Sequence, residues 1–486
     1  MAVRNRRRVG PESDSSPLDV AHSMTDRSDA SDSDHVVTAF LRYRGEVLLL
    51  RRSDAVGTYR GQWGGVSGFA EGQPDDQLLV EIREETGLEV SPADVVRSGR
   101  PVELDDPDLE RSWVVHPYLV DVDTREIEVS EEHDAFEWVS PTAILASRFP
   151  ADVATDVPDH EAWADRETVP ALWTAYERVA PTVRSITADD THGAAWLSIR
   201  ALEVLRDRAG LLVSERAEYR ADPAGEREEL AALAGRLLEA RPAMAVLRNR
   251  VNRVMGRAES EAGSGEGAAD ADAPAVLTVA LETIDRAVDA DEQAATTASD
   301  RIDGTVLTLS RSGTVLAALE RAAPSRIYVA ESRPAREGID VAERLASVST
   351  VDAPITVCTD AAIAHVLGRE AVSRVVVGAD AIQPDGSVVN KTGTRAAAIA
   401  ADSAGVPVTV VAASDKISTR EGVNLESGSR EAVYDGEAAV DVVNPTFDVT
   451  PADCVAEIVT EDGVIEPSDV ATVAEKLRAL EGWRDQ

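Results

Sequence analysis

Two stretches of the chain hold side chains suited to catalysis or ligand binding. In PDDQLLVEIREETGL, the carboxylates Glu81, Glu84 and Glu85 stand at i, i+3 and i+4 of a helix predicted over about Pro74 to Thr86, which places them on one face. Pro74 suits the first helical position, Asp75 and Asp76 complement the N-terminal dipole, and Gly87 can close the helix in the left-handed conformation. Three carboxylates on one stripe repel one another unless a divalent cation sits among them. Hard oxygen ligands of this kind suit Mg²⁺ or Mn²⁺, which in turn bind phosphate oxygens. Spacing alone favours a plainer alternative, a solvated acidic face.

The second stretch is VVVGADAIQPDGSVVNKTGTRAAAIAA. A predicted strand over 374–378 ends at Gly378-Ala379-Asp380, at the carboxyl edge of a sheet, where open α/β folds bind ligands. Lys391-Thr392-Gly393-Thr394 then opens a helix, and a helix N-terminus with glycine, hydroxyls and a lysine suits a phosphate. The plain alternative is a glycine-containing hairpin with an incidental lysine. His35, His116, His133, His160, His192 and His365 show no metal-ligand spacing and read as structural or surface groups, and His22 falls in a polar tail.

The scaffold around these groups follows from pattern. Residues 1–34 are Ser/Asp-rich and read as a disordered acidic tail, in which Met24 is an alternative start to Met1. Short β-branched or aromatic runs (VVTAFLRY, EVLLLRR, SWVVHPYLVDV, AFEWVS) make 35–150 strand-rich around the one helix. A helical connector (151–181) and amphipathic helices (182–299) follow, with 256–275 composed like a flexible loop. From 300 to 486, apolar strands alternate with helices, the signature of a parallel sheet covered on both faces. The expected fold class is therefore α/β, with a helical subdomain before a doubly wound, Rossmann-like sheet.

Composition excludes several functions. Lys+Arg is 49 and Asp+Glu is 88 in 486 residues, a formal charge of −39. Such a chain is not built to coat nucleic acid or dock on anionic membranes. It has no apolar run long enough to span a bilayer and no secretory signal pattern at its start. Cys358 and Cys454 alone make no disulfide framework, which fits a reducing, cytoplasmic setting. All but three of the basic residues are arginine (Lys391, Lys416 and Lys476 are the lysines) and aromatics are 4%, a balance suited to molar salt, where screening collapses self-repulsion.

EVLLLRR, GTYRGQWGGVSGFAEG and the glutamate helix closing in EETGL together resemble the Nudix hydrolase family. That family is an α/β/α sandwich whose G-x5-E-x7-REUxEExGU signature carries metal-binding glutamates. The resemblance covers about 35–150 and implies Mg²⁺- or Mn²⁺-dependent hydrolysis of a nucleoside diphosphate linked to another group, with Glu81, Glu84 and Glu85 as metal ligands. Two departures stand out. Val80 replaces the family's arginine, with Arg83 displaced, and the loop is about two residues short, so that Glu71 matches the loop glutamate only loosely.

The GAD…NKTGT segment is similar to the family that joins the α/β/δ subunits of initiation factor 2B with methylthioribose-1-phosphate and ribose-1,5-bisphosphate isomerases. GAAWLSIRALEVL, ARPAMAVLRNRVNRVM, TVLTLSRSGTVLAAL, ESRPAREG and VCTDAAIAHVL extend the resemblance over roughly 182–486. It implies a helical subdomain before a Rossmann-like one, a homodimer or higher homo-oligomer, and a nucleotide or sugar phosphate as ligand. Phosphate binding falls to Arg333, Asn390, Lys391, Thr392 and Gly393, and the family's catalytic aspartate matches Asp380. The family's catalytic cysteine is Ser310 here, and a serine hydroxyl is far too weak an acid to replace a thiol as proton carrier. The expectation is a Nudix-type hydrolase fused to a non-isomerising phosphate-binding domain. A regulatory protein with both sites degenerate, and an aldose–ketose isomerase acting through Asp380, are the alternatives.

Overall fold

The structure, a computed structural model, describes residues 33–485 apart from 71, 150–156, 158–159, 221–224, 263–271 and 423. The expected tail over 1–34 lies outside the described residues as far as 32, and the first strand already begins at Asp34.

An eight-stranded mixed sheet comes first. Its strands are β1 (Asp34–Tyr43), β2 (Glu46–Arg52), β3 (Trp63–Gly64), β4 (Val66–Phe69), β5 (Val95–Ser98), β6 (Val102–Asp106), β7 (Arg111–Asp121) and β8 (His133–Val139). The spine runs β3-β2-β1-β7-β5, with β1 and β7 parallel over nine registered pairs. Strand alternation sorts the core. Val37, Ala39, Leu41, Leu48 and Leu50 face helix α1 (Pro74–Thr86) with Leu78 and Ile82. Phe40, Val47, Leu49 and Leu119, one residue out of phase, face the opposite way.

That second face is closed by chain from beyond the sheet. Helix α2 (Leu172–Val179) covers it with Leu172, Trp173 and Tyr176. Helices α3 (Ala194–Tyr219), α4 (Glu226–Ala240), α5 (Ala245–Ala262) and α6 (Ala273–Ser299) belong to the same core. The helix α5 runs through Ala262, so the first seven residues of the loop expected over 256–275 are helical, and 263–271 lie outside the described residues. The α6 helix starts at Ala273, where the Asp272 carboxylate accepts from the Ala275 N–H.

A seven-stranded sheet follows, ordered β11-β10-β9-β12-β15-β17-β18. These are Thr305–Leu309 (β9), Arg326–Ala330 (β10), Ile355–Cys358 (β11), Val372–Val377 (β12), Val408–Val411 (β15), Glu457–Thr460 (β17) and Gly463–Ile465 (β18), parallel except for the last. Strands β13 (Ala381–Ile382), β14 (Val388–Lys391) and β16 (Phe447–Thr450) form a small antiparallel sheet beside it. Helices α7 (Gly313–Arg321), α8 (Glu337–Ser347), α9 (Ile363–Arg369), α10 (Thr394–Ala404) and α11 (Val470–Ala479) complete the double winding. The order reverses between β9 and β12, so their carboxyl ends frame a crevice.

The α6 helix joins the two sheets. Val276, Ala280, Ile284 and Ala287 pack in the core shared with the first sheet, while Ala294, Ala295 and Ala298 pack against Val306, Val329 and Val376 of the second. The β1–β2 turn, with Arg44 at φ 50° and Gly45 at φ 90°, plugs into the same helices: the Arg206 Nη1 donates to the Gly45 carbonyl at 2.6 Å. Among the described residues no helix is long and apolar enough to cross a membrane.

Candidate functional site

On α1 the three glutamates occupy three different environments. An α-helix advances about 100° per residue, so relative to the buried Leu78–Ile82 stripe, Glu85 falls on the stripe, Glu81 beside it and Glu84 far round. Accordingly Glu85 is only 4% exposed, Glu81 is half-buried and Glu84 is exposed. Glu85 Oε2 accepts from the Ser67 N–H at 3.1 Å, and Glu81 Oε1 accepts from Gln77 Nε2 at 2.7 Å. Glu81 lies so close to β4 that a Cβ at Gly68 would collide with its carboxylate. Burial raises the Glu85 carboxyl well above the usual carboxylate range, the Ser67 N–H opposes that, and the charges of Glu81 and Glu132 add to it.

The three glutamates of the expected stripe thus differ in burial: Glu81 and Glu85 lie against β4, and Glu84 is turned toward solvent. Among the described residues no group of three or more His, Cys, Asp or Glu stands close enough to hold a metal ion. Glu71 lies outside the described residues. The pair itself fits a hard cation: two carboxylates converge on one strand, and one of them is buried with too little positive charge nearby.

At the carboxyl edge of the second sheet, side chains gather from five segments. Ser310, at the end of β9 with φ 64°, donates its hydroxyl to Glu337 Oε2 at 2.9 Å. The other oxygen of Glu337 pairs with Lys391 Nζ at 3.0 Å. The Ser310 N–H donates to Ser332 Oγ at 2.7 Å. Lys416, buried, donates to the Ala379 carbonyl at 2.6 Å. Burial lifts the Asp380 carboxyl above its ordinary value against the pull of Lys416 and Lys391. This places Asp380, Ser310, Glu337, Lys391 and Lys416 in one polar cluster.

The other expected phosphate ligands are placed differently. Arg333 is exposed, and its backbone N–H donates to Asp360 at 2.7 Å. Asn390 is buried and donates to Thr394 Oγ1 at 3.0 Å. Thr392 donates its hydroxyl to the Pro445 carbonyl. The N-terminus of α10 is not an open anion site. Asp448, from β16, accepts from the Gly393 N–H at 2.8 Å and from the Arg395 N–H at 3.1 Å. A carboxylate of the chain itself fills the place foreseen for a phosphate there.

Several residues escaped the sequence reading. His133, expected to be a plain structural group, is buried with Nε2 4.0 Å from Glu85 Oε2, and burial with the nearby Arg52 charge pushes it down to about 4. Arg52, on β2, also opposes the upward shift of Glu85, a positive charge that the helix lacks at Val80. Both come from strands distant in sequence, so no local spacing announces them. Glu337 lies inside the ESRPAREG segment, where its charge opposite to Lys391 was the available signal.

The sequence pattern of the Initiation factor 2 subunit family matches residues 190–467, and that of the NUDIX domain matches 33–172. The chain is 33% identical over 329 residues to a ribose 1,5-bisphosphate isomerase of Haloterrigena turkmenica, covering 62% of this chain and 93% of that one. It is 37% identical over 185 residues to a methylthioribose-1-phosphate isomerase of Pseudomonas putida, covering 36% and 49%. The chain thus spans about half the length of the methylthioribose-1-phosphate isomerases it matches. The translation initiation factor eIF-2B of Pyrococcus horikoshii superposes with a TM-score of 0.47 at 25% identity, over 59% of this chain and 95% of that one. The chain belongs to the initiation factor 2 subunit family and carries a NUDIX domain ahead of that module.

Proposed function

We propose that the NUDIX module is a hydrolase of a nucleoside diphosphate linked to another group, and that the second module binds a nucleotide or sugar phosphate without isomerising it. The observation that carries the first half is the buried Glu85 beside Glu81 on α1, both against β4, two carboxylates whose mutual repulsion a cation would relieve. Glu81 and Glu85 hold Mg²⁺ or Mn²⁺, with Glu84 on the exposed flank as third ligand. When bound, the cation screens the charge that builds on the phosphate oxygens as water attacks phosphorus. The Ser67 N–H and β4 fix the Glu85 carboxylate, and His133 stays neutral at its side.

The second half rests on Lys391 and Lys416 beside Asp380, two of the chain's three lysines, with Ser310 where a thiol would be needed. The module associates as a homodimer or higher homo-oligomer, and the arginine-for-lysine, acid-rich composition suits molar salt in a cytoplasm. Both cysteines are free, in keeping with a reducing compartment.

Purified full-length protein in molar KCl with Mg²⁺ or Mn²⁺ tests this against nucleoside diphosphate sugars, dinucleoside polyphosphates and ADP-ribose. Release of phosphate products that disappears in Glu81→Gln/Glu85→Gln supports the hydrolase, and no turnover of any of them removes it. A second reading is favoured by the elevated Asp380 and by the names of the relatives: an aldose–ketose isomerase in which Asp380 moves the proton. Isomerisation of ribose 1,5-bisphosphate or methylthioribose 1-phosphate by the wild type, lost in Asp380→Asn, establishes that reading instead.

A further inference from the structure

Of the five groups in the sheet-edge cluster, Glu337 alone has no part in the proposed function. It is the first residue of α8, and the backbone fixes its place: a Cβ on the next residue, Gly338, would collide with the Ala330 carbonyl oxygen at the end of β10. The start of the helix is therefore pressed against the sheet, and the Glu337 side chain reaches the ends of β9 and β14. Its two oxygens are divided between them. Oε2 accepts from Ser310 Oγ at 2.9 Å, and Oε1 pairs with Lys391 Nζ at 3.0 Å.

These contacts limit the charge a ligand can bring. Lys391 and Lys416 are the cations acting on Asp380, and Glu337 and Glu426 are the carboxylates acting on it. Burial favours the neutral form of Asp380 itself, so two positive charges already face two negative ones. The flanking arginines add little. Arg336 pairs with Glu331 at 3.6 Å, and Arg333 has the Asp360 carboxylate on its own backbone N–H at 2.7 Å. Across the site, Asp448 occupies the N-terminus of α10.

Donors remain for one phosphoryl group. An ammonium has three N–H donors, of which Lys391 gives one to Glu337 and Lys416 gives one to the Ala379 carbonyl. One phosphoryl group, about −1.5 to −2 at neutral pH, matches the charge of the two lysines and already leaves the carboxylates uncompensated. A second one would meet Glu337 with no cation left to offset it, and two anions cannot hydrogen-bond to each other. A neutral hydroxyl beside the phosphate meets the opposite reception, because it can donate to the remaining lone pairs of Glu337.

We propose that Glu337 determines the specificity of the sheet-edge site, admitting a sugar that carries one phosphate and rejecting a bisphosphate or a diphosphate. Lys391 and Lys416 take the phosphate, and Glu337 accepts a hydroxyl of the sugar. This role rests on the reading that the module binds a nucleotide or sugar phosphate, and it narrows that class to sugar monophosphates.

The test is calorimetric titration of full-length protein in molar KCl without divalent cation, using ribose 1-phosphate and ribose 1,5-bisphosphate, which differ only in the second phosphate. Wild type is expected to bind ribose 1-phosphate about tenfold more tightly than the bisphosphate. Glu337→Gln keeps the size of the side chain and removes its charge, and should tighten the bisphosphate about tenfold while changing ribose 1-phosphate less. A merely structural role would weaken both ligands together. Glu337 is 21% exposed, and thermal denaturation checks that the variant is folded. Glu337→Asp, which draws the charge back by one methylene, is the second variant and should shift the ratio the same way by less. A wild type that prefers the bisphosphate, or a ratio unchanged in both variants, overturns the specificity role and leaves the phosphate-binding reading standing. Binding of neither ligand by wild type or by Glu337→Gln removes the phosphate-binding reading, and this role with it.

Discussion

The acidic helix and the sheet-edge cluster are opposite ways of building a polar site. On α1 the carboxylates come from five consecutive positions and carry like charge, so Glu85 is strained electrostatically by Glu81 and Glu132. At the sheet edge the groups come from five separate segments, and their charges alternate: Ser310 to Glu337, Glu337 to Lys391, and lysines beside Asp380. The contrast marks which site waits for a partner. Alternating charges satisfy one another before any ligand arrives, whereas a buried carboxylate among carboxylates is relieved only by a cation or a proton.

Substitutions at each site put that contrast at risk. The largest effect is expected from Glu81→Gln/Glu85→Gln, which should lower metal-dependent hydrolysis about 1,000-fold while leaving phosphate binding at the other module unchanged. Glu84→Gln alone should cost far less, and steady-state kinetics of these variants separates the buried pair from the exposed flank. A comparable loss in Glu84→Gln would show that burial does not rank these groups.

Next comes the joint that carries both sites. Gly45 sits at φ 90°, and a Cβ there would lie 2.8 Å from Ile284 Cγ2. Gly45→Ala should therefore destabilise the fold by about 1–3 kcal/mol, read by chemical denaturation. Lys391→Ala should weaken sugar-phosphate binding about tenfold by calorimetry and leave hydrolysis intact.

The smallest effect is one of sign. The Glu85 carboxyl binds its proton more tightly folded than unfolded, so its contribution to stability is full at acid pH and is lost as pH rises through its raised value. Glu85→Gln should therefore raise Tm at neutral pH in metal-free buffer, with the gain vanishing on acidification. Mg²⁺ should raise the Tm of the wild type and not that of the variant. A variant less stable than wild type at every pH would contradict the raised carboxyl.

Much of the architecture was legible. The α1 limits read from Pro74, the acidic first turn and Gly87 agree with the helix Pro74–Thr86, whose Gly87 is left-handed at φ 71°. The strands VVTAFLRY and EVLLLRR were legible from alternation and β-branching. The short strands Trp63–Gly64 and Val66–Phe69 were not, because two to four residues carry no period. The cap of α10 misled for another reason: Gly393 and its hydroxyl neighbours look like an anion site locally, and Asp448, 55 residues on, is invisible from there.

Residue order alone was enough to say which side chains could do chemistry and on which elements they lie, because periodicity, capping and charge are local properties of a chain. Three-dimensional packing had to decide which glutamate is buried, that His133 and Arg52 stand beside it, and that one long helix serves both cores. Burial and through-space charge depend on residues far apart in sequence, and these set the energy of an ionised group.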